Sequence, residues 1–218
     1  MRRNLSFLPP LVLVLILGIS CSAPATTLVT ATPESLITWW TLWLDQPACR
    51  APCWQNITPG KTSMKDAVAI LENTPDVIIT FKGEYGVSWQ FSQSRTGSGD
   101  MNESEDEIVS SIWLGDTPDK DLHFKTIVEE YGYPSLVELY DCQLRMCSTI
   151  LVYPDIGLLV DAYLEDNLEG VDSSQVSIQP DIVVSGVYFI PVGLESFKKI
   201  PEFQEHDLLE WKGYGEYP

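Results

Sequence analysis

Apolar residues along the chain fall alternately into helical stripes and runs of two-residue period. Leu36, Trp39, Trp40, Trp43 and Leu44 share one helical stripe after Thr32-Pro33-Glu34, an N-cap, a first-turn proline and a first-turn acid. Thr38, Thr41 and Asp45 occupy the opposite face. Met64, Ala67, Val68 and Leu71 form a second stripe, opened by Ser63 and Asp66 as an acidic capping box. Strand-like runs follow at 77–81, 87–91 and 108–114, with a Gly/Ser/acid-rich stretch from Gln93 to Glu107 that reads as a loop. The order then recurs. Thr117-Pro118-Asp119 starts another helix with Phe124, Ile127, Val128 and Tyr131 on its apolar face, and Gly132 and Pro134 end it. Strands are predicted at 136–140, 149–153, 157–163 and 182–190. The pattern predicts an α+β fold of two helix-plus-antiparallel-meander halves, 32–116 and 117–191, packed as one body. The tail, 192–218, carries one or two short helical runs and an aromatic end, Trp211, Tyr214 and Tyr217, expected to pack back on the body.

The first residues change the picture. Arg2 and Arg3 precede an uncharged apolar stretch from Leu11 to Ile19, too short for a hydrocarbon core that needs about 20 residues. Residues 1–20 therefore read as a signal peptide. Leu17-Gly18-Ile19-Ser20-Cys21 resembles the lipobox of bacterial lipoprotein precursors, with Gly18 where that family usually has Leu. The resemblance implies cleavage before Cys21, acylation of that cysteine with palmitate-type chains, and anchoring on the extracytoplasmic side of a membrane in the cell envelope. More than one chain is what stable anchoring requires. Residues 21–31, rich in Ala, Thr and Pro, would be the anchor and its flexible tether. The competing reading is an ordinary secretory peptide in which Cys21 is incidental.

Charge narrows the partners. There are 13 Lys+Arg against 31 Asp+Glu, a formal charge of −18. Residues 1–20 hold two arginines and no acid, so the mature chain has 11 bases against 31 acids, or −20. That balance disfavours nucleic acid and flat docking on anionic lipid, both of which demand clustered bases. Between Met146 and Phe197 there is no Lys or Arg, while Asp155, Asp161, Glu165, Asp166, Glu169, Asp172, Asp181 and Glu195 are present. The run reads as a solvated acidic face, or as a surface that steers a basic protein partner through Glu165, Asp166 and Glu169.

Four cysteines remain after the anchor: Cys49, Cys53, Cys142 and Cys147. An exported location permits disulfides, and three pairings are open. The local pairs Cys49–Cys53 and Cys142–Cys147 are favoured by spacing, the second because its cysteines bracket a hairpin. A four-thiolate zinc site competes with them, and the exported setting counts against it.

At Ile57-Thr58-Pro59-Gly60-Lys61-Thr62, Ala67-Val68 and Leu71 to Pro75, the chain resembles the SmpA/OmlA (BamE-like) lipoprotein domains, with a glycine and threonine before a short helix and a proline after it. Tyr131-Gly132-Tyr133-Pro134 looks like a looser second copy of the helix exit. A tandem of this kind is also the layout of β-lactamase-inhibitor-like proteins. Asn73-Thr74 replaces the glycine usual before the proline. The resemblance implies helices laid on three-stranded sheets, and a role in envelope support or protein binding.

Catalytic signatures are missing from the sequence. Gly60-Lys61-Thr62 ends like a phosphate loop, but Gln55 stands where that motif requires glycine. Asp100, Asn102, Ser104 and Asp106 alternate as in a calcium loop, but Glu105 and Ser111 occupy the positions of its glycine and bidentate glutamate. That leaves at most weak calcium binding by an acidic loop. His123 and His206 have no identified partner, and no cofactor or metal is expected. The first reading is a non-catalytic anchored lipoprotein that binds a protein partner or supports envelope assembly. A second is a solute- or sugar-binding lipoprotein using Trp39, Trp40, Trp43 or Trp54, although a helix packed on a sheet needs the same aromatic stripe. Composition also permits a two-carboxylate hydrolase.

Cys21→Ala is expected to abolish fatty-acid labelling of the precursor and release the protein from the membrane fraction. Persistent labelling of that variant would overturn the lipoprotein reading.

Overall fold

A computed structural model describes residues 39–44, 49–92, 97–115, 122–143, 146–165, 176–200 and 208–217, all within the unit Ser35–Pro218. The expected signal peptide and tether, Cys21 and the predicted helix start at Thr32 lie outside them. So do Thr117-Pro118-Asp119 and His206.

The fold is mixed α+β around one large antiparallel sheet. Helix α1 (Thr41–Leu44) is followed by α2 (Met64–Asn73) and four strands: β1 (Val77–Lys82), β2 (Gly86–Phe91), β3 (Ser98–Glu103) and β4 (Val109–Gly115). Helix α3 (Phe124–Tyr131) then precedes β5 (Leu136–Gln143), β6 (Met146–Tyr153), β7 (Leu158–Glu165), the short β8 (Val176–Ile178) and β9 (Val184–Phe189). The tail supplies α4 (Leu194–Phe197), β10 (Leu208–Glu210) and β11 (Gly215–Tyr217). Nine strands join in the order β1-β2-β3-β4-β9-β7-β6-β5-β10, and β11 pairs with β8 separately. Two meanders thus meet where the last strand of each, β4 and β9, run antiparallel from Ile112↔Phe189 to Gly115↔Gly186.

Helices α2 and α3 are clamped in the same way. A helix leaves its first N–H groups without partners inside itself. In α2 the Met64 N–H donates to the Glu107 carbonyl at 2.9 Å, while Val109 N–H donates to Thr62 O at 2.9 Å. In α3 the Phe124 N–H donates to Ile182 O at 3.0 Å, and Val184 N–H donates to Leu122 O at 2.8 Å. Isolated bridges Ser63↔Ile108 and His123↔Val183 complete the correspondence. The residues just before β4 and β9 therefore serve as backbone caps, which is why His123 can stand at an N-cap without a side-chain hydrogen bond. At α2 the expected side-chain cap also forms, Ser63 Oγ accepting from the Asp66 N–H at 3.1 Å.

Both helices bury their apolar stripes on one face of the sheet. Met64, Ala67 and Leu71 of α2, and Phe124 and Ile127 of α3, meet Trp89, Met101, Ile112, Leu114, Leu151, Val160 and Phe189 in the main core. The leading aromatic segment seals it. Trp43 stacks on Tyr131 of α3 with ring centroids 5.6 Å apart and meets Phe189 edge-on. Trp54, just after the Cys49–Cys53 disulfide, stacks on Trp89 at 5.2 Å. Cys142 and Cys147 fall at the end of β5 and the start of β6, across a hairpin, and their side chains lie outside the described part.

One expected loop is a strand. Residues 98–103 form β3, paired on both sides, although Gly, Ser and acids dominate them. The strand reads as polar because its outward residues are Ser98, Asp100 and Asn102, whereas Gly99 and Met101 face the core. The alternating Asp100 and Asn102 that suggested a calcium loop are thus successive positions on one strand face. Gly99 is required there, since a Cβ would overlap the six-membered ring of Trp89. Gly99→Ala should therefore lower stability by about 1–3 kcal/mol, the usual cost of overpacking. Chemical denaturation checks this, and an unchanged midpoint would mean that Trp89 does not rest on β3.

Candidate functional site

Residues directly opposite one another in an antiparallel sheet point to the same face, so the pairings identify what the second sheet face carries. One row crosses all nine strands: Ile78, Gln90, Ser98, Gly115, Gly186, Asp161, Ile150, Glu138 and Leu208. The next row runs Phe81, Ser88, Asp100, Trp113, Tyr188, Leu159, Val152, Leu136 and Glu210. Along both rows the character switches at β9.

On the second meander this face is closed. Ile150, Val152 and Leu159 are fully buried with Phe197 of α4 in a separate apolar cluster, to which Leu136, Tyr188, Leu194 and Ile200 add. On the first meander it is open, where Gln90 and Asn102 are exposed and Ser88, Ser98, Asp100, Ser111 and Trp113 are partly exposed. At its edge, Ile78 and Phe81 remain 54% and 60% exposed. Among the described residues no Lys or Arg projects from either row. Lys82 turns to the helix side and pairs with Glu72 of α2.

Trp113 is the centre of the open half. Its neighbours at the β4–β9 junction are two glycines, Gly115 and Gly186, paired with each other. A Cβ on Gly186 would stand 2.7 Å from Trp113 Nε1, and one on Gly115 would stand 2.6 Å from Cζ2. The indole therefore lies over the glycine pair and remains partly exposed. Tyr188, directly opposite, tilts against it with centroids 6.5 Å apart. Asp100 is its cross-strand neighbour on the other side, which places the two Cβ atoms about 4.5–5.5 Å apart. Beyond Gly186 lies Asp161, buried, its Oδ2 accepting from Ser185 Oγ at 3.0 Å. A register shift in β9 next to Gly186 brings Ser185 into that position.

The residues expected to act lie elsewhere or do something else. Trp39, Trp43 and Trp54 are buried at 1–2% exposure, and Trp40 is partly buried against the same core. Trp39, Trp43 and Trp54 thus pack as a helix laid on a sheet requires and do not offer the exposed platform of the solute-binding reading. Trp113, not singled out from sequence, is partly exposed on the second sheet face. The acidic run is also not one face as far as it is described. Asp155 lies in the turn before β7, Asp161 is buried in the sheet, and Asp181 is exposed near the N-terminus of α3. Glu195 pairs with Lys198 at 3.3 Å. Asp166 and Glu169 lie outside the described residues, as does the Glu165 side chain.

Glu138 and Asp161 are both buried on the second sheet face with Ile150 between them. Two strand spacings separate them, about 10 Å of backbone, and a substrate would have to lift the covering segment to reach Glu138. Burial raises the hydroxyl pKa of Tyr153, whose Oη donates to Gly132 O at 3.1 Å as a structural tie behind α3. A cleft of about 530 Å³ over α2 is lined by Gln55, Asn56, Asp66 and Asn73, and its one carboxylate accepts from Ser63 Oγ at 2.7 Å. Among the described residues no three His, Cys, Asp or Glu side chains gather as metal ligands. No helix there is long and apolar enough to cross a membrane.

No family model matches this chain, and neither a curated protein nor a solved structure matches it.

Gly186→Ala should displace the indole, shifting the Trp113 ring N–H resonance assigned by comparison with Trp113→Phe. An unmoved resonance would mean that the ring does not rest on the β4–β9 pair.

Proposed function

We propose that this chain is a non-catalytic lipoprotein, anchored through Cys21 on the outer side of a bacterial membrane, that holds a protein partner on the open half of its sheet. The observation that carries the reading is the asymmetry of the second sheet face. One meander covers that face with α4 and a dry cluster, whereas the other leaves it open with Trp113, Phe81 and short polar side chains. Aromatic anchors among Ser, Asn and Gln side chains are what adaptable protein-binding surfaces use. The negative charge adds selection for partners with a basic surface and raises the rate of encounter.

The tandem BamE-like layout belongs to the same proposal. Its support is the recurrence of helix, meander and backbone clamp in both halves: Met64 donating to Glu107 and Val109 to Thr62, then Phe124 donating to Ile182 and Val184 to Leu122. A lipid anchor preceding such a body suits a protein that presents a surface to the envelope.

A photo-crosslinking residue placed at Ser111, on the open face, should capture a protein partner from the envelope in which the full chain resides. The same residue at Lys65, on the exposed side of α2, should not. Equal capture from both positions, or capture from Lys65 alone, would refute the open face as the working surface.

A further inference from the structure

The open face is negative and aromatic at one point. Trp113 lies over its glycine pair and stays partly exposed, and Asp100 flanks it across the strand pair. Asp161 lies beyond the second glycine, so carboxylates stand on both sides of the ring. The described part of the face contributes no base, and the whole chain carries −18. An indole face is the strongest aromatic acceptor for a cation within about 6 Å of its centroid, and guanidinium both stacks on it and presents a fork to a carboxylate.

We propose that Trp113 and Asp100 receive an arginine side chain of the protein partner, the guanidinium stacking on the indole and pairing with the Asp100 carboxylate. The inference rests on the reading of the open half-sheet as a protein-binding face, and it names what that face recognises. The glycine pair makes the site possible. Any larger residue at 115 or 186 would stand the ring up and remove the flat surface on which a planar cation stacks. Asp161 is buried and already held by Ser185, so Asp100 makes the direct contact. A lysine would be drawn by the same charges but lacks the planar stacking, so arginine is the better fit.

The test uses the full chain and three short peptides of one length, carrying arginine, lysine or citrulline, the last having arginine's shape without its charge. Binding is followed by calorimetry and by the Trp113 indole N–H resonance. The arginine peptide should bind tightest, shift that resonance, and weaken as salt rises. Trp113→Ala and Asp100→Asn should each weaken it about three- to tenfold, an effect within the range of a partly exposed cation–π contact, while Trp113→Phe should keep part of the affinity. Unchanged thermal unfolding of Asp100→Asn, whose side chain is outward on β3, would separate loss of binding from loss of fold.

Equal binding of citrulline and arginine would overturn the proposal, as would affinity indifferent to both substitutions. A shift of the indole resonance by a neutral glucose oligosaccharide, with none by the arginine peptide, would also overturn it and make the ring a sugar platform. If the arginine peptide fails while crosslinks from Ser111 persist, the arginine site is wrong and the protein-binding face stands. If the Ser111 crosslinks fail as well, the face itself is wrong.

Discussion

Everything in this molecule depends on the short ladder between β4 and β9. It is the pairing that converts two meanders into one nine-stranded sheet, and it runs only from Ile112↔Phe189 to Gly115↔Gly186. Its inner side is among the driest parts of the core, with Ile112, Leu114, Val187 and Phe189 buried at 0% exposure. On the outer side the backbones come so close that a Cβ on Gly115 would meet Ser185 O at 2.6 Å and Gly186 Cα at 3.0 Å. The seam thus needs large apolar residues on one face and no side chain at one register step on the other. The same step that lets the halves close makes a flat bed for Trp113, so the requirement of assembly and the candidate site have one cause.

The aromatic residues of the leading segment reinforce that seam from the core side. Trp43 reaches Tyr131 of α3 and Phe189 of β9, whereas Trp54 reaches Trp89 and Phe91 of β2. Arg50 adds a guanidinium over the Tyr131 ring at 5.5 Å and an ion pair to Glu130. The chain from Trp39 to Trp54 therefore ties to both meanders, and the Cys49–Cys53 bridge shortens it between its two contact points. A closed five-residue ring removes chain entropy worth about 2 kcal/mol in the unfolded state, modest beside the burial of three indoles at about 1.5–3 kcal/mol or more each.

How far sequence could go is clear from particular residues. Strands β2, β4, β6 and β7 announce themselves by alternating or continuous apolar runs, and α2 by its stripe and its Ser63 cap. Strand β3 did not, because a central strand normally brings β-branched residues, and here Trp89 fills the volume that a side chain at Gly99 would have taken. Strands β8, β10 and β11 have three residues each, too few for any period to show. Trp113 looked like one more apolar position in a strand. Its role follows from Gly115 and Gly186, which are 71 positions apart in sequence and meet only when the sheet forms. The acids between Met146 and Phe197 were conspicuous as a run, yet the fold scatters those described between a turn, the sheet interior, the start of α3 and α4.

The two edges of the sheet are unequal, and this limits how copies of the chain can associate. One edge is β1, six residues long but interrupted by a register shift between Ile79 and Phe81. The other is β10, three residues long. Growth of a filament by edge pairing requires the two edges of one molecule to match each other, a head-to-tail contact that never closes. β10 pairs with β5 only from Leu136 to Glu138, so among the described residues this edge is a step, three residues of β10 and then the outer side of β5 up to Gln143, on which a bent six-residue strand does not lie flat. Pairing of β1 with its own copy is a different geometry, antiparallel about a two-fold axis, and it consumes the β1 edge of both molecules. Association through β1 would therefore close on two copies, and the stepped edge at β10 is what would resist further growth.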